Sequence, residues 1–187
     1  MPTVALVALA RPTFDLVAAQ ANFDSALALL REIGATVVGP SSLVMTVDDV
    51  AAVTLPPADL HILFMASFAD ASPAVEIFGG VRGPIIGWSM REPGEVGERL
   101  TLNSMCGVNL AAHALLNVGQ SVRHIHGNAN EPGVRKALID ALNGTLPAAD
   151  SPSPVTRELA AEESATAALA WLKGKRIGAV GEAPIGF

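Results

Sequence analysis

Along this chain, apolar runs of strand length alternate with stretches of helical periodicity, and that alternation restricts the fold more than any other feature. The runs fall at 3–9, 36–40, 60–66, 84–89, 122–126 and 176–180. Helical patterns occupy 15–33, 73–80, 104–118, 132–142 and 155–172. Strands separated by helices imply a parallel sheet with right-handed crossovers. The expected fold class is α/β: a flavodoxin-like or Rossmann-like three-layer αβα arrangement. Its sheet is mainly parallel and five-stranded, in the order 2-1-3-4-5, with an extra strand at the C-terminus. Half of the residues are hydrophobic and only 16% are charged, which suits strands buried on both faces.

Local signals set the helix ends. Asp15 is placed to cap the first helix, where Phe23, Leu27 and Leu30 recur at helical spacing before Gly34. Ser72-Pro73 reads as a cap followed by proline at the first helical position. Val134, Leu138 and Leu142 line one face after Pro132. Thr46–Pro57 contains two acidic residues and an apolar pattern too short to assign. Leu146–Pro154 is rich in Pro, Ala and Ser and reads as a linker. Gly174-Lys175-Arg176-Ile177-Gly178 looks like a new parallel strand without the helix that normally covers one. The expected division is therefore a domain over 1–173, with 174–187 as the first strand and loop of a second domain that the chain does not contain.

Charge and composition exclude several functions. A net charge of −6 does not suit nucleic acid, which needs a basic stripe, so no nucleic-acid partner is expected. Lys173, Lys175 and Arg176 fit the last turn of a helix, where cations complement the dipole. No apolar run approaches the roughly 20 residues that span a bilayer, and the start lacks a basic leader. Neither a membrane partner nor secretion is expected. The single cysteine, Cys106, fits a reducing cytoplasm, which is the expected location.

In an open parallel sheet, ligands bind beyond the carboxyl ends of the strands, beside the switch point next to the first strand. The first strand leads into Ala10-Arg11-Pro12-Thr13-Phe14-Asp15. Arg11 offers a rigid fork of donors there, on a loop stiffened by Pro12. The loop has no glycine-rich phosphate fingerprint and no acidic cluster, so nucleotide and flavin cofactors are disfavoured. With the third strand beside the first, Arg11 lies near Ser67 and Asp70, as a structural ion pair or as part of a binding site. Ser67-Phe68-Ala69-Asp70 offers a hydroxyl, an aromatic face and a carboxylate, which suit a hydroxyl-rich sugar. Alternatively, Asp70 and Ser72 cap the next helix. Trp88, at the end of the fourth strand, either stacks on a sugar or packs in the core. His124 and His126 share one face of the fifth strand, but no third ligand is apparent and zinc needs at least three from the protein. Cys106 reads as a packed thiol.

Three segments, taken in order, resemble the N-terminal region of L-fucose/L-arabinose isomerase-like proteins. They are Ala10-Arg11-Pro12-Thr13-Phe14-Asp15, Ser67-Phe68-Ala69-Asp70, and the run from Arg99-Leu100-Thr101 through Met105-Cys106-Gly107 to Ala112-His113. The closing Arg176–Phe187 looks like the start of that family's second domain. The resemblance implies an aldose–ketose isomerase that moves protons through an enediol with a divalent metal, usually manganese. The family's metal ligands lie in later domains, so no cofactor is expected on this chain. The resemblance implies a role in sugar recognition for the N-terminal domain, reaching a neighbouring subunit's active site in a homo-oligomer, with Arg11 and Trp88 as recognition residues. On this reading Ser67 and Asp70 add polar contacts, and the missing domains come from another polypeptide. The alternative is a non-catalytic, stand-alone carbohydrate-binding or regulatory module that keeps the fold.

Overall fold

The computed structural model describes residues 1–95, 97–149, 159–176, 178 and 181. They form two units, the first spanning Met1–Ala149 and the second beginning at Asp150. The first unit carries β1 (Thr3–Leu9), α1 (Leu16–Glu32), β2 (Thr36–Val38), α2 (Val47–Ala52), β3 (Leu60–Met65) and α3 (Ala71–Phe78). It continues with β4 (Ile85–Ser89), α4 (Ser104–Asn117), β5 (Val122–His126) and α5 (Pro132–Leu142). The second unit carries α6 (Leu159–Leu172). The five strands pair in parallel in the order β2-β1-β3-β4-β5, as the alternation predicts. The expected strand at 176–180, and most of the expected second-domain opening at 174–187, lie outside the described residues.

The central strands are apolar because helices cover both faces. Val4, Leu6 and Ala8 of β1, with Ile62 and Phe64 of β3, pack against Phe23 and Leu30 of α1 and Leu138 of α5. Val7, Leu9, Leu63 and Met65 point the other way, toward Val50 of α2, Phe78 of α3 and Leu115 of α4. All six residues of β3 are buried. The chain leaves β2 through Gly39 at φ +121, where an added Cβ would lie 2.4 Å from the Leu6 carbonyl oxygen. Only glycine lets the backbone pass β1 at that distance.

Two helix starts differ from expectation. The unassigned stretch holds the short helix α2, nucleated by a capping box in which Thr46 and Asp49 satisfy each other's backbone N–H groups. Helix α3 begins at Ala71 after Asp70, earlier than the Ser72-Pro73 signal implied. Pro73 is tolerated in that first turn because the N–H it lacks would have no intrahelical partner.

Candidate functional site at the carboxyl edge of the sheet

The carboxyl edge has two polar clusters. The first lies at the switch point between β1 and β3. After β1, Phe14 N–H donates to the Arg11 carbonyl (3.1 Å), closing a turn over Pro12 and Thr13. The backbone N–H of Arg11 donates to Ser67 Oγ (3.0 Å), and its Nη2 donates to Asp70 Oδ2 (3.0 Å). The guanidinium carbon lies 5.8 Å from the centre of the Phe68 ring, which in turn contacts Phe14 at 6.0 Å. The Arg11 and Asp70 side chains are 43% and 35% exposed, so both can meet a ligand. Asp70 occupies the N-cap position of α3 but makes no side-chain capping bond there. Its carboxylate pairs with Arg11 instead, so the helix-cap reading of Asp70 does not hold.

Two other expected contacts need correction. Ser67 is fully buried, and its hydroxyl is held by the Arg11 backbone. It braces the loop and cannot touch a sugar. Trp88 is also 0% exposed. Its position on β4 turns the indole inward, toward the layer formed by α1 and α5. There Nε1 donates to the Gly127 carbonyl (2.9 Å), and the ring meets Phe64 edge-on at 5.1 Å. No face of the indole is open for stacking.

The connection from β4 to α4 crosses over this cluster. Asp15 N–H donates to Thr101 O (3.2 Å) and Phe68 N–H to Leu102 O (2.7 Å), joining the connection to the loops after β1 and β3. Its base is fixed by Glu92, whose carboxylate accepts the N–H groups of Thr101, Leu102 (2.9 Å) and Asn103 (2.7 Å). Ser104 adds a buried hydroxyl that donates to the Met65 carbonyl and accepts from Met90 N–H (2.9 Å). Gly107 lets α4 approach closely: a Cβ there would lie 2.9 Å from Met65 Sδ and 3.1 Å from Phe68 Cα. Thr13, Phe14, Asp15, Arg99, Leu100 and Thr101 line a depression of about 350 Å³. A larger cavity, about 900 Å³, lies around Pro2, Asp59, Gly83 and Arg123 at the opposite edge. We place the site at the carboxyl edge, where the loops converge and parallel sheets bind ligands.

The second cluster lies at the ends of β4 and β5. Arg91 makes a two-pronged pair with Glu131, at 2.7 Å for each contact. Glu131 Oε1 also accepts Asn128 N–H (2.7 Å), and Asn128 Oδ1 accepts Arg91 N–H (3.2 Å). Hydrogen bonds from Arg91 and from the Asn128 backbone lower the Glu131 carboxyl from 4.5 to about 2. A depressed folded-state pKa means stability that is present above about 4.5 and lost as pH falls toward 2. Glu131→Gln should therefore lower stability at neutral pH, leave it little changed near pH 2, and so flatten the acid side of the profile in that window. Urea unfolding at a series of pH values measures this, and an unchanged acid slope would remove Glu131 as its source. Partial burial and the Arg91 charge lower the pKa of the neighbouring His126, while Glu131 and Ser89 oppose the shift.

Sequence reasoning missed Glu92, because its partners are backbone groups across a loop. It also missed Arg91 and Glu131, although Glu131 three residues after Asn128, just before Pro132, is a helix-start signal. Among the described residues, no three His, Cys, Asp or Glu side chains converge to hold a metal ion. No helix among them is long and apolar enough to cross a membrane.

No family model matches the chain. Proteins named sulfoquinovose isomerase do. The chain is 29% identical to the one from Priestia megaterium over 189 residues, covering 99% of this chain and 37% of that protein. It is 32% identical to one from a Clostridium species over 133 residues, 70% of this chain and 30% of that protein. A third, from Alkalicoccus urumqiensis, is 35% identical over 103 residues, 53% and 23% respectively. This chain is similar to sugar isomerases. It spans little more than a third of the length of the Priestia megaterium relative.

Proposed function

We propose that this chain is the sugar-recognition part of a metal-dependent aldose–ketose isomerase whose substrate is sulfoquinovose or a close relative of it. The Arg11–Asp70 pair carries the reading. It joins a fork of donors to a carboxylate acceptor, half exposed at the switch point, on a chain similar to sulfoquinovose isomerases along nearly its whole length. A sugar hydroxyl both donates and accepts, so one such pair can take two neighbouring hydroxyls. The sulfo group is an anion, and Arg99 lies beside Phe14 in the depression with no hydrogen bond or ion pair among the described residues. Arg99 is our candidate for that group.

The finer placement among L-fucose/L-arabinose isomerase-like proteins rests on the Arg11, Ser67–Asp70 and Arg99–His113 segments and belongs to the same proposal. The ligands of the divalent metal would come from the remainder of the complete protein, and the site would be completed by that part or by a second copy in a homo-oligomer. The test is to combine this chain with the remaining domains, in one polypeptide or two, add manganese, and assay ketose formation from sulfoquinovose, with glucose for comparison. Turnover of sulfoquinovose is expected. Sugar binding without turnover in any combination would favour the non-catalytic module, and neither binding nor turnover across a sugar panel would overturn the proposal.

A further inference from the structure

The turn that leads into α4 is held from two sides. On one side, the Thr101 and Leu102 carbonyls accept from Asp15 N–H (3.2 Å) and Phe68 N–H (2.7 Å), in the loops after β1 and β3. On the other, the N–H groups of Thr101, Leu102 (2.9 Å) and Asn103 (2.7 Å) all donate to the Glu92 carboxylate. Asn103, at φ 51, is the one non-glycine in the left-handed region among the described residues, and its side chain makes no capping bond to α4. Successive N–H groups beside a left-handed residue can converge on one anion, forming a nest. Here the anion is a side chain of the same connection.

The two sets of bonds share peptide planes. The unit joining Thr101 to Leu102 donates to Glu92 and accepts from Asp15. The unit joining Leu102 to Asn103 donates to Glu92 and accepts from Phe68. In a trans peptide the N–H and C=O lie in one plane and point opposite ways, so fixing one aims the other. Leu102 is 1% exposed in the core, which anchors the residue but leaves the planes on either side of it free to turn. Beyond the two carbonyls lies the switch point. The Phe68 ring sits 5.8 Å from the Arg11 guanidinium carbon, on the loop that carries Asp70. Arg99, two residues before Thr101, lines the depression from the same connection.

We propose that Glu92 is a positioning residue for the sugar site: by orienting two peptide planes, it sets the carbonyls from which the Arg11 and Asp70 loops are held. Glu92 itself touches no sugar. Its effect on the loops rests on hydrogen-bond geometry alone, whereas its effect on affinity rests on the sugar-isomerase reading.

Amide exchange measured by NMR on the full chain tests the first part. In Glu92→Ala, exchange at the Asp15 and Phe68 N–H groups should quicken about 10-fold or more beyond any change at the buried amides of β3, as for loss of a hydrogen bond to a charged group. Glu92→Gln keeps one acceptor oxygen but sets an NH2 group against the remaining donors, so it should show a smaller rise, and it serves if Glu92→Ala folds poorly. Added formate should restore part of the protection in Glu92→Ala, because a free carboxylate fits the emptied nest, and sodium chloride at the same ionic strength should not. Affinity for sulfoquinovose, by calorimetry, should fall about 2- to 30-fold in Glu92→Ala, the range for coupling through packed neighbours. Unchanged exchange at both amides in both variants, or formate recovering no more than chloride, would overturn the assignment. Faster exchange with wild-type affinity, where Arg11→Ala weakens binding, would also overturn it and leave the sugar reading standing. A wild-type chain that binds no sugar would overturn both.

Discussion

Trp88→Ala should cost about 3–5 kcal/mol of stability, the range for removing a large buried aromatic side chain. The indole fills the space between β4 and the helices α1 and α5, and its loss leaves the Gly127 carbonyl without its donor. In a domain of this size, about 1 kcal/mol moves Tm by roughly 2–4 °C. A fall on the order of 10 °C is therefore expected, and marginal folding at 37 °C would be consistent with it. Trp88→Phe keeps most of the packing and should lose much less. Because Trp171 is 68% exposed, a Trp171→Phe background leaves Trp88 as the sole emitter. Its emission should be blue-shifted and should shift red with the same urea midpoint as far-ultraviolet circular dichroism. A near-wild-type Tm for Trp88→Ala would show that the indole contributes little to the core and would return the residue to the ligand site.

The opposite pattern is expected for Arg11→Ala. The Arg11–Asp70 pair is partly exposed, and such pairs contribute about 0–1 kcal/mol, so the fold should survive with little change in Tm. Binding should suffer more. A hydrogen bond from a charged donor contributes about 1.5–3 kcal/mol, which is roughly a 10- to 150-fold loss of affinity for the sugar. Arg11→Lys should recover only part, since an ammonium cannot reproduce the planar fork that meets Asp70 and a ligand together. Calorimetric titration with sulfoquinovose, in the same protein that supports turnover, measures both variants. Unchanged affinity in Arg11→Ala would remove the switch-point cluster from the sugar site.

Strand order was legible because apolar runs of β length separated by helices allow few arrangements, and β1 beside β3 brings Arg11 to Asp70. Which face a strand-end residue takes was not legible. Trp88 and Ser89 are adjacent, yet one turns into the core shared with α1 and the other toward Met105 and His126. In a strand buried on both faces, polarity does not mark the inner side, so the indole could be read either way. Ser67 misled for a related reason: a hydroxyl on a ligand-edge loop looks available until the backbone donor that occupies it is known.

The carboxylate of Glu92 ties the end of β4 to the start of α4, so the segment between them leaves and returns at fixed points. Its closure entropy is met once, at the base, and lengthening a flexible loop adds only slowly to that cost. The segment thus behaves as an exchangeable cassette. Residues from 93 to 100 can be rewritten, shortened or extended at little expense to the sheet, while the two polar clusters stay where the strands put them. Descendants of this chain could change what they recognise by editing that stretch alone.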